Sequence, residues 1–328
     1  MNKISPFLRK CLFLLLLALM LASDNTAQEF EPRIVFSSNR DGDWDIYSMD
    51  VNGNNLVQLT DHPASDEYPA CSPDGRRIAF ISERELTPDL YMMDSDGNNV
   101  VRLTHDNFGE GRVSWSPDGM RIAFSSFRWL VGNSEIYAMD ADGNNLMNLT
   151  KHKMHDFLPN WSPDGSKIAF ASFRDGGLND PRHIFVMNAD GKGRRNLTAD
   201  TDLRFNSNPT WSPDGRKIAF HSQLNFKGYD IHVITAEGKN LQRLTEEGDN
   251  RMPAYSPDGA KIAYMSHLNG DSNIHLMDTN GRNAVKLTRT PPGIDNTSPS
   301  WLPAGVFVVN QNGKLPISWG GLKRRGNP

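Results

Sequence analysis

Short apolar runs recur along this chain, and polar turn words separate them at a nearly constant spacing. Residues 113–115 read VSW, 121–126 RIAFSS, 135–140 EIYAMD and 145–150 NLMNLT. Runs this short, rich in β-branched and aromatic residues and partly alternating with polar ones, predict strands rather than helices. Between them stand SPDG at 116–119 and DADG at 140–143. Proline fits the first central position of a tight turn, aspartate the next, and glycine the position that needs positive φ. Each unit therefore predicts four antiparallel strands joined by tight turns.

The unit repeats. SPDG returns intact at 72–75, 116–119, 162–165, 212–215 and 256–259, in steps of 44, 46, 50 and 44 residues, and a degenerate SWLPAG follows at 300–305. The second turn returns six times, as DVNG at 50, DSDG at 94, DADG at 140, NADG at 188, TAEG at 235 and DTNG at 278. Such a period is that of four-stranded propeller blades, and six second turns count six blades. The first unit, from Arg33, has a second, third and fourth strand but no first. SPSW at 298–301 offers the missing one, so the fold expected is an all-β, six-bladed propeller closed by its two ends. Closure removes free sheet edges. VFVVNQNGKLPISW at 306–319 resembles one more hairpin, which makes seven blades the second reading. Cys71, Trp115, Trp161, Trp211, Tyr255 and Trp301 share the position before the turn and are expected to wedge between blades. Cys71 then reads as a buried, unreactive thiol in an aromatic slot.

The pattern WSPDGxxIAFxS…IYxMDxDGxNxxxLT resembles the repeat of TolB-type, or WD-like, β-propellers from about Arg33 to Trp301. The resemblance implies a six-bladed propeller exported to the periplasm of Gram-negative bacteria. TolB proteins carry an α/β domain before the propeller. Here a handful of residues separate the apolar leader from the first strand, so the chain reads as a TolB-like propeller standing alone.

Charge and leader add the compartment. Lys3, Arg9 and Lys10 precede an apolar run at 11–21, with small or polar residues after it. That is the layout of a signal peptide, cleaved after Ser23 or Ala27, and the run is too short to span a bilayer comfortably. The division expected is 1–27 signal peptide, 28–310 propeller and 311–328 a C-terminal extension with a basic tail. Cys71 would be the sole cysteine after cleavage, so packing rather than a disulfide must stabilise the fold. A net charge of −4 without a basic run argues against nucleic acid as partner. No second apolar stretch is long enough for a membrane span, and a monomer is expected.

Fold does not give function; function follows from the residues of a site. Both tight turns lie on one face of a propeller. The other face carries the variable loops, including residues 127–135, 173–183 and 224–230. On the way into the inner strands stand Asp66, Glu110, Asp156, Asn206, Asn250 and Asn296, one per blade. Two readings apply: these side chains satisfy loop N–H groups, or as a ring at the channel mouth they bind a cation, a lysine or a peptide backbone. Tyr68, Arg112, Phe157 and Arg251 follow within two positions and suit an interface. The leading expectation is a non-catalytic exported scaffold, without cofactor, that binds a protein or peptide partner of the cell envelope at this mouth. The alternative is a metal-assisted carbohydrate enzyme, a lyase or hydrolase, with a divalent cation at the mouth. Its ligands would be His62, His105 and His152, which follow Leu-Thr in three consecutive blades. Some propeller lyases of acidic sugars hold metals with histidines in this way. No nucleophile elbow, P-loop, HExxH or CxxC motif is present, so no catalytic residue is assigned.

Overall fold

The computed structural model describes residues 27–128, 132–175, 182–223, 228–268 and 270–308. The chain divides into two compact units. The larger, Glu31–Pro303, is a ring of six four-stranded antiparallel sheets, and no helix occurs among the described residues. Blade one takes its innermost strand, Asn296–Leu302, from the end of the ring and its other three, Arg33–Ser38, Asp45–Asp50 and Val57–Gln58, from the beginning. The pairing runs from Arg33 with Leu302 to Ser38 with Asn296. The strand missing at Arg33 and the orphan SPSW thus complete each other. The innermost strands of blades two to six are Asp66–Cys71, Glu110–Trp115, Asp156–Trp161, Arg204–Trp211 and Asp249–Tyr255.

The repeated words fold as their chemistry requires. In the turn at 72–75, Gly75 N donates to Ser72 O at 2.9 Å and Ser72 Oγ donates to Asp74 Oδ1 at 2.7 Å. Arg77 N closes the turn on Ser72 Oγ at 2.9 Å. In the second turn the glycine is demanded by its neighbour. Gly97 has φ +88°, and a Cβ there would stand 2.5 Å from the carbonyl oxygen of Leu59 in the preceding blade. The acid near the start of the third strand in most blades is also structural. Asp45, Asp89 and Asp230 accept from the Leu-Thr hydroxyls of Thr60, Thr104 and Thr245 at 2.9–3.0 Å.

The core is divided among the junctions between blades. One buried cluster joins blades one and two through Ile46, Ile78, Phe80 and Leu302, and another closes the ring through Phe36, Ile274 and Trp301. The wedge position works as expected where it is aromatic. Trp115, Trp211 and Trp301 each donate the indole N–H to a carbonyl of the preceding blade, on Ala70, Asn160 and Ala254, at 2.9–3.2 Å. Cys71 departs from expectation. It is half-buried rather than buried, because a cysteine is too small to fill a tryptophan slot, and it lines the central channel. Burial still pushes its thiol up to about 12, with a weak opposing pull from Ser300.

The smaller unit comprises Met1–Phe30 and Ala304–Pro328. In it Ala27–Phe30 pairs antiparallel with Gly305–Val308. Residues 306–308, read as the opening of a C-terminal hairpin, lie in this pairing. The rest of that hairpin, the basic tail and the leader at 1–26 lie outside the described residues. No helix among the described residues is long and apolar enough to cross a membrane.

Candidate functional site

The inner strands do not alternate cleanly. In Asp66–Cys71 the first residue is buried, the next two half-buried and the fourth buried, and Asp156–Trp161 begins the same way. The cause is a bulge at the third residue, where the register against the second strand shifts. Tyr68, Leu158, Asn208, Met252 and Ser298 occupy that place in five blades, all with φ between 51° and 59°. None is glycine; for Tyr68, Leu158, Met252 and Ser298 the left-handed conformation costs about 1 kcal/mol or more, whereas the asparagine tolerates it. The bulge turns two consecutive side chains of a strand out of the blade, and this shapes the channel mouth.

The six residues expected to ring the mouth are brought to equivalent places but turned inward. Asp66, Asp156, Asn206 and Asn296 are 0% exposed, Asn250 2% and Glu110 5%. Their partners belong to the scaffold. Arg84 donates to Asp66 Oδ2 at 2.7 Å, and Arg128 and Arg174 make close ion pairs with Glu110 and Asp156. In blade one Arg40 donates to Asn296 Oδ1 at 2.8 Å. Each of these arginines stacks on an aromatic pair of its own blade, as Arg84 does on Phe80 at 5.8 Å and Tyr91 at 5.5 Å. Blades five and six carry Leu224 and Leu268 where the arginine would be. There Asn206 and Asn250 instead donate to the carbonyls of Arg182 and Glu247 at 2.7 and 2.6 Å. The negative field expected from Asp66, Glu110 and Asp156 is therefore answered within each blade. Burial pushes the Glu110 carboxyl up to about 7 against the opposing pull of Arg128.

Sequence reasoning missed these arginines. The signal was a Ser-x-Arg word after the second strand at Arg40, Arg84, Arg128 and Arg174, spaced 44, 44 and 46 residues. Carboxylates occur at the ring position in three of those four blades and in neither blade that lacks the arginine.

What the mouth does present is guanidinium on aromatic faces. Arg112 lies 5.9 Å from the Tyr68 ring. Arg182 lies 5.4 Å from Phe157 and 5.8 Å from Phe173, and these two rings meet edge to face at 5.7 Å. Arg251 sits 4.2 Å over Tyr229 and pairs with Asp249 at 2.6 Å. His221 ties the groups together: burial first, then the charges of Arg182, Arg251 and Arg112, hold its imidazole well below the usual histidine range. On blade two Glu67 supplies the opposite sign. Burial and the neighbouring Glu83 push its carboxyl up to about 7. Of the residues expected at an interface, Tyr68, Arg112, Phe157 and Arg251 all belong to this surface.

The histidines of the metal alternative are not brought together. The rings of His62 and His152 accept through Nδ1 from Ala64 N and Met154 N, closing their own loops, and His105 is exposed. Among the described residues no group of three or more His, Cys, Asp or Glu is placed to hold a metal ion. Parts of the three variable loops, 129–131, 176–181 and 224–227, lie outside the described residues.

Comparison with known proteins places this geometry. The TolB beta propeller domain family matches residues 21–129 and 110–203 of the chain. A curated relative, the protein TolB homolog of Chlorobaculum tepidum, is 50% identical over 46 residues, which span 14% of this chain and 11% of that protein. Among solved structures, TolB from Acinetobacter baumannii superposes with a TM-score of 0.72 at 21% identity, covering 92% of this chain and 74% of that one. A putative TolB from Agrobacterium tumefaciens gives 0.65 at 24% identity, covering 79% and 90%. At these identities the structural likeness speaks for the fold.

Proposed function

This chain belongs to the TolB β-propeller domain family, and we propose from that premise that it is an exported, non-catalytic scaffold which docks a protein or peptide partner of the cell envelope at its channel mouth. The observation that carries the reading is the aromatic–guanidinium cluster on the variable-loop face. Tyr68 with Arg112, Phe157 with Arg182 and Tyr229 with Arg251 place three cation–aromatic pairs around one opening. Tyrosine and arginine dominate the energetic centres of protein interfaces, because each gives a large rigid contact with a polar end. A guanidinium held over a ring stays available to a carboxylate through its edge. The partner expected is acidic and apolar at the contact. Export is supported by the leader sequence, and the propeller is proposed to work as a monomer.

A photo-crosslinking residue placed at Phe157 and, separately, at Met120 on the tight-turn face tests this in cells of the source organism. Met120 is 68% exposed and Phe157 half-buried, so each has a face open to a partner. The Phe157 probe should capture a discrete partner, and the adduct should fade with Tyr68→Ala and Arg251→Ala together. Capture from Met120 with none from Phe157 contradicts the proposal.

A further inference from the structure

We propose that the central channel binds a carboxylate, gripped by the Arg112 guanidinium and the Asn208 side-chain amide. Inward of the mouth lies a cavity of about 400 Å³. Its wall is built from one residue type repeated: Pro69, Pro159, Pro209, Pro253 and Pro299, with Val113 in the sixth place. Proline has no N–H to offer, so these five positions donate nothing to a ligand. Trp115, Trp161, Tyr255 and Trp301 add aromatic surface, and the Trp161 indole Nε1 is a further donor without an acceptor among the described residues. Recognition of a polar group is left to the few side chains that break the pattern.

Several of those are engaged by the scaffold. Ser114 Oγ accepts from Trp161 N at 3.1 Å, Asn160 Oδ1 from Trp211 N at 3.0 Å and Ser300 Oγ from Cys71 N at 3.2 Å. Arg112 and Asn208 differ. Arg112 is the one charged residue in the described lining, and among the described residues it has no acidic partner; its contact is the Tyr68 ring. Asn208 is 6% exposed, and its Nδ2 has no acceptor among the described residues. It is one of the bulge residues, at φ 51°. Two donors with unspent N–H groups, a positive charge and no carboxylate nearby define a site for an anion. The planar fork of a guanidinium matches a carboxylate, and the apolar wall suits one with a short hydrocarbon or peptide body. Burial pulls the Arg112 guanidinium down to about 10, so it remains charged at neutral pH. The site stands whether or not a protein docks at the mouth.

The carboxylate could end a peptide chain or belong to a small organic acid, and three probes distinguish these. Acetyl-dialanine with a free carboxylate, its C-terminal amide, and butyrate are titrated into the full chain. Calorimetry and the fluorescence of the lining tryptophans report binding. At least one acid should bind about 10-fold or more tightly than the amide, the difference expected when a charge-assisted hydrogen bond is lost. Binding of the peptide acid alone assigns a chain terminus, and of butyrate alone an organic acid. Arg112→Met should abolish the preference without lowering the melting temperature of the free protein, because it removes a half-buried cation that has no acidic partner. Asn208→Asp keeps a residue tolerant of positive φ and sets a like charge against the ligand, so it too should weaken binding. No acid preference in the unmutated protein, or one unchanged by Arg112→Met, overturns the proposal.

Discussion

If Asp66 and Arg84 serve the scaffold, removing either partner should cost stability unequally. The Asp66 side chain is fully buried, its Oδ1 has no partner among the described residues, and its Oδ2 takes the 2.7 Å bond from Arg84. Arg84→Met strands that carboxylate. A buried charge without its partner costs about 3–5 kcal/mol. Arg84→Met should therefore lose about 3–5 kcal/mol. Asp66→Asn should lose only about 1–2 kcal/mol, since an amide oxygen can still accept from the guanidinium. Blade one already contains this arrangement, in Arg40 and Asn296 at 2.8 Å. Urea unfolding of both variants measures the asymmetry. Equal losses, or an Arg84→Met penalty below about 1 kcal/mol, would show that the pair does not serve the scaffold.

Three further outcomes are expected. Gly97→Ala should cost about 2–4 kcal/mol in thermal or urea unfolding, because the new Cβ meets the Leu59 carbonyl at 2.5 Å and φ is +88°. Trp301→Ala should cost about 3–5 kcal/mol, because it empties the wedge that closes the ring and breaks the 3.0 Å bond to Ala254; a loss under about 1 kcal/mol argues against closure at this seam. Glu67→Gln should stabilise at pH 8 and do nearly nothing at pH 4. The folded carboxyl is raised to about 7, so the unmutated protein has this contribution below the unfolded value and loses it as pH rises through 7. The gain at pH 8 is about 1–2 kcal/mol after solvent screening, read as a shift in melting temperature.

The architecture was legible because its signals are local and repeated. An SPDG word needs no distant residue to become a turn, and six copies of a strand pattern with one strand missing at Arg33 dictate where Asn296–Leu302 must go. The ring of Asp66, Glu110 and Asp156 was legible as a position but not as a role. Its meaning depends on Arg84, Arg128 and Arg174, each 18 residues later in sequence and adjacent only after two strands pair. The bulge was not legible either. Tyr68, Leu158 and Met252 adopt positive φ against their intrinsic preference, so no composition rule marks them, and the two-residue exposure they create defeats strand periodicity. Cys71 was placed correctly in its slot, yet its exposure follows from side-chain volume at the channel wall.

The proposed docking surface is tested most directly by the affinity of the captured partner for paired sets of variants. On the mouth these are Tyr68→Ala and Arg251→Ala; on the opposite face, Asp118→Ala and Met120→Ala. Binding-centre residues contribute about 2 kcal/mol or more, so each mouth variant should weaken the complex about 30-fold, while the turn-face pair should leave the dissociation constant unchanged. An unchanged constant for the mouth variants, with loss of binding in the turn-face pair, would place the interface on the other side of the ring.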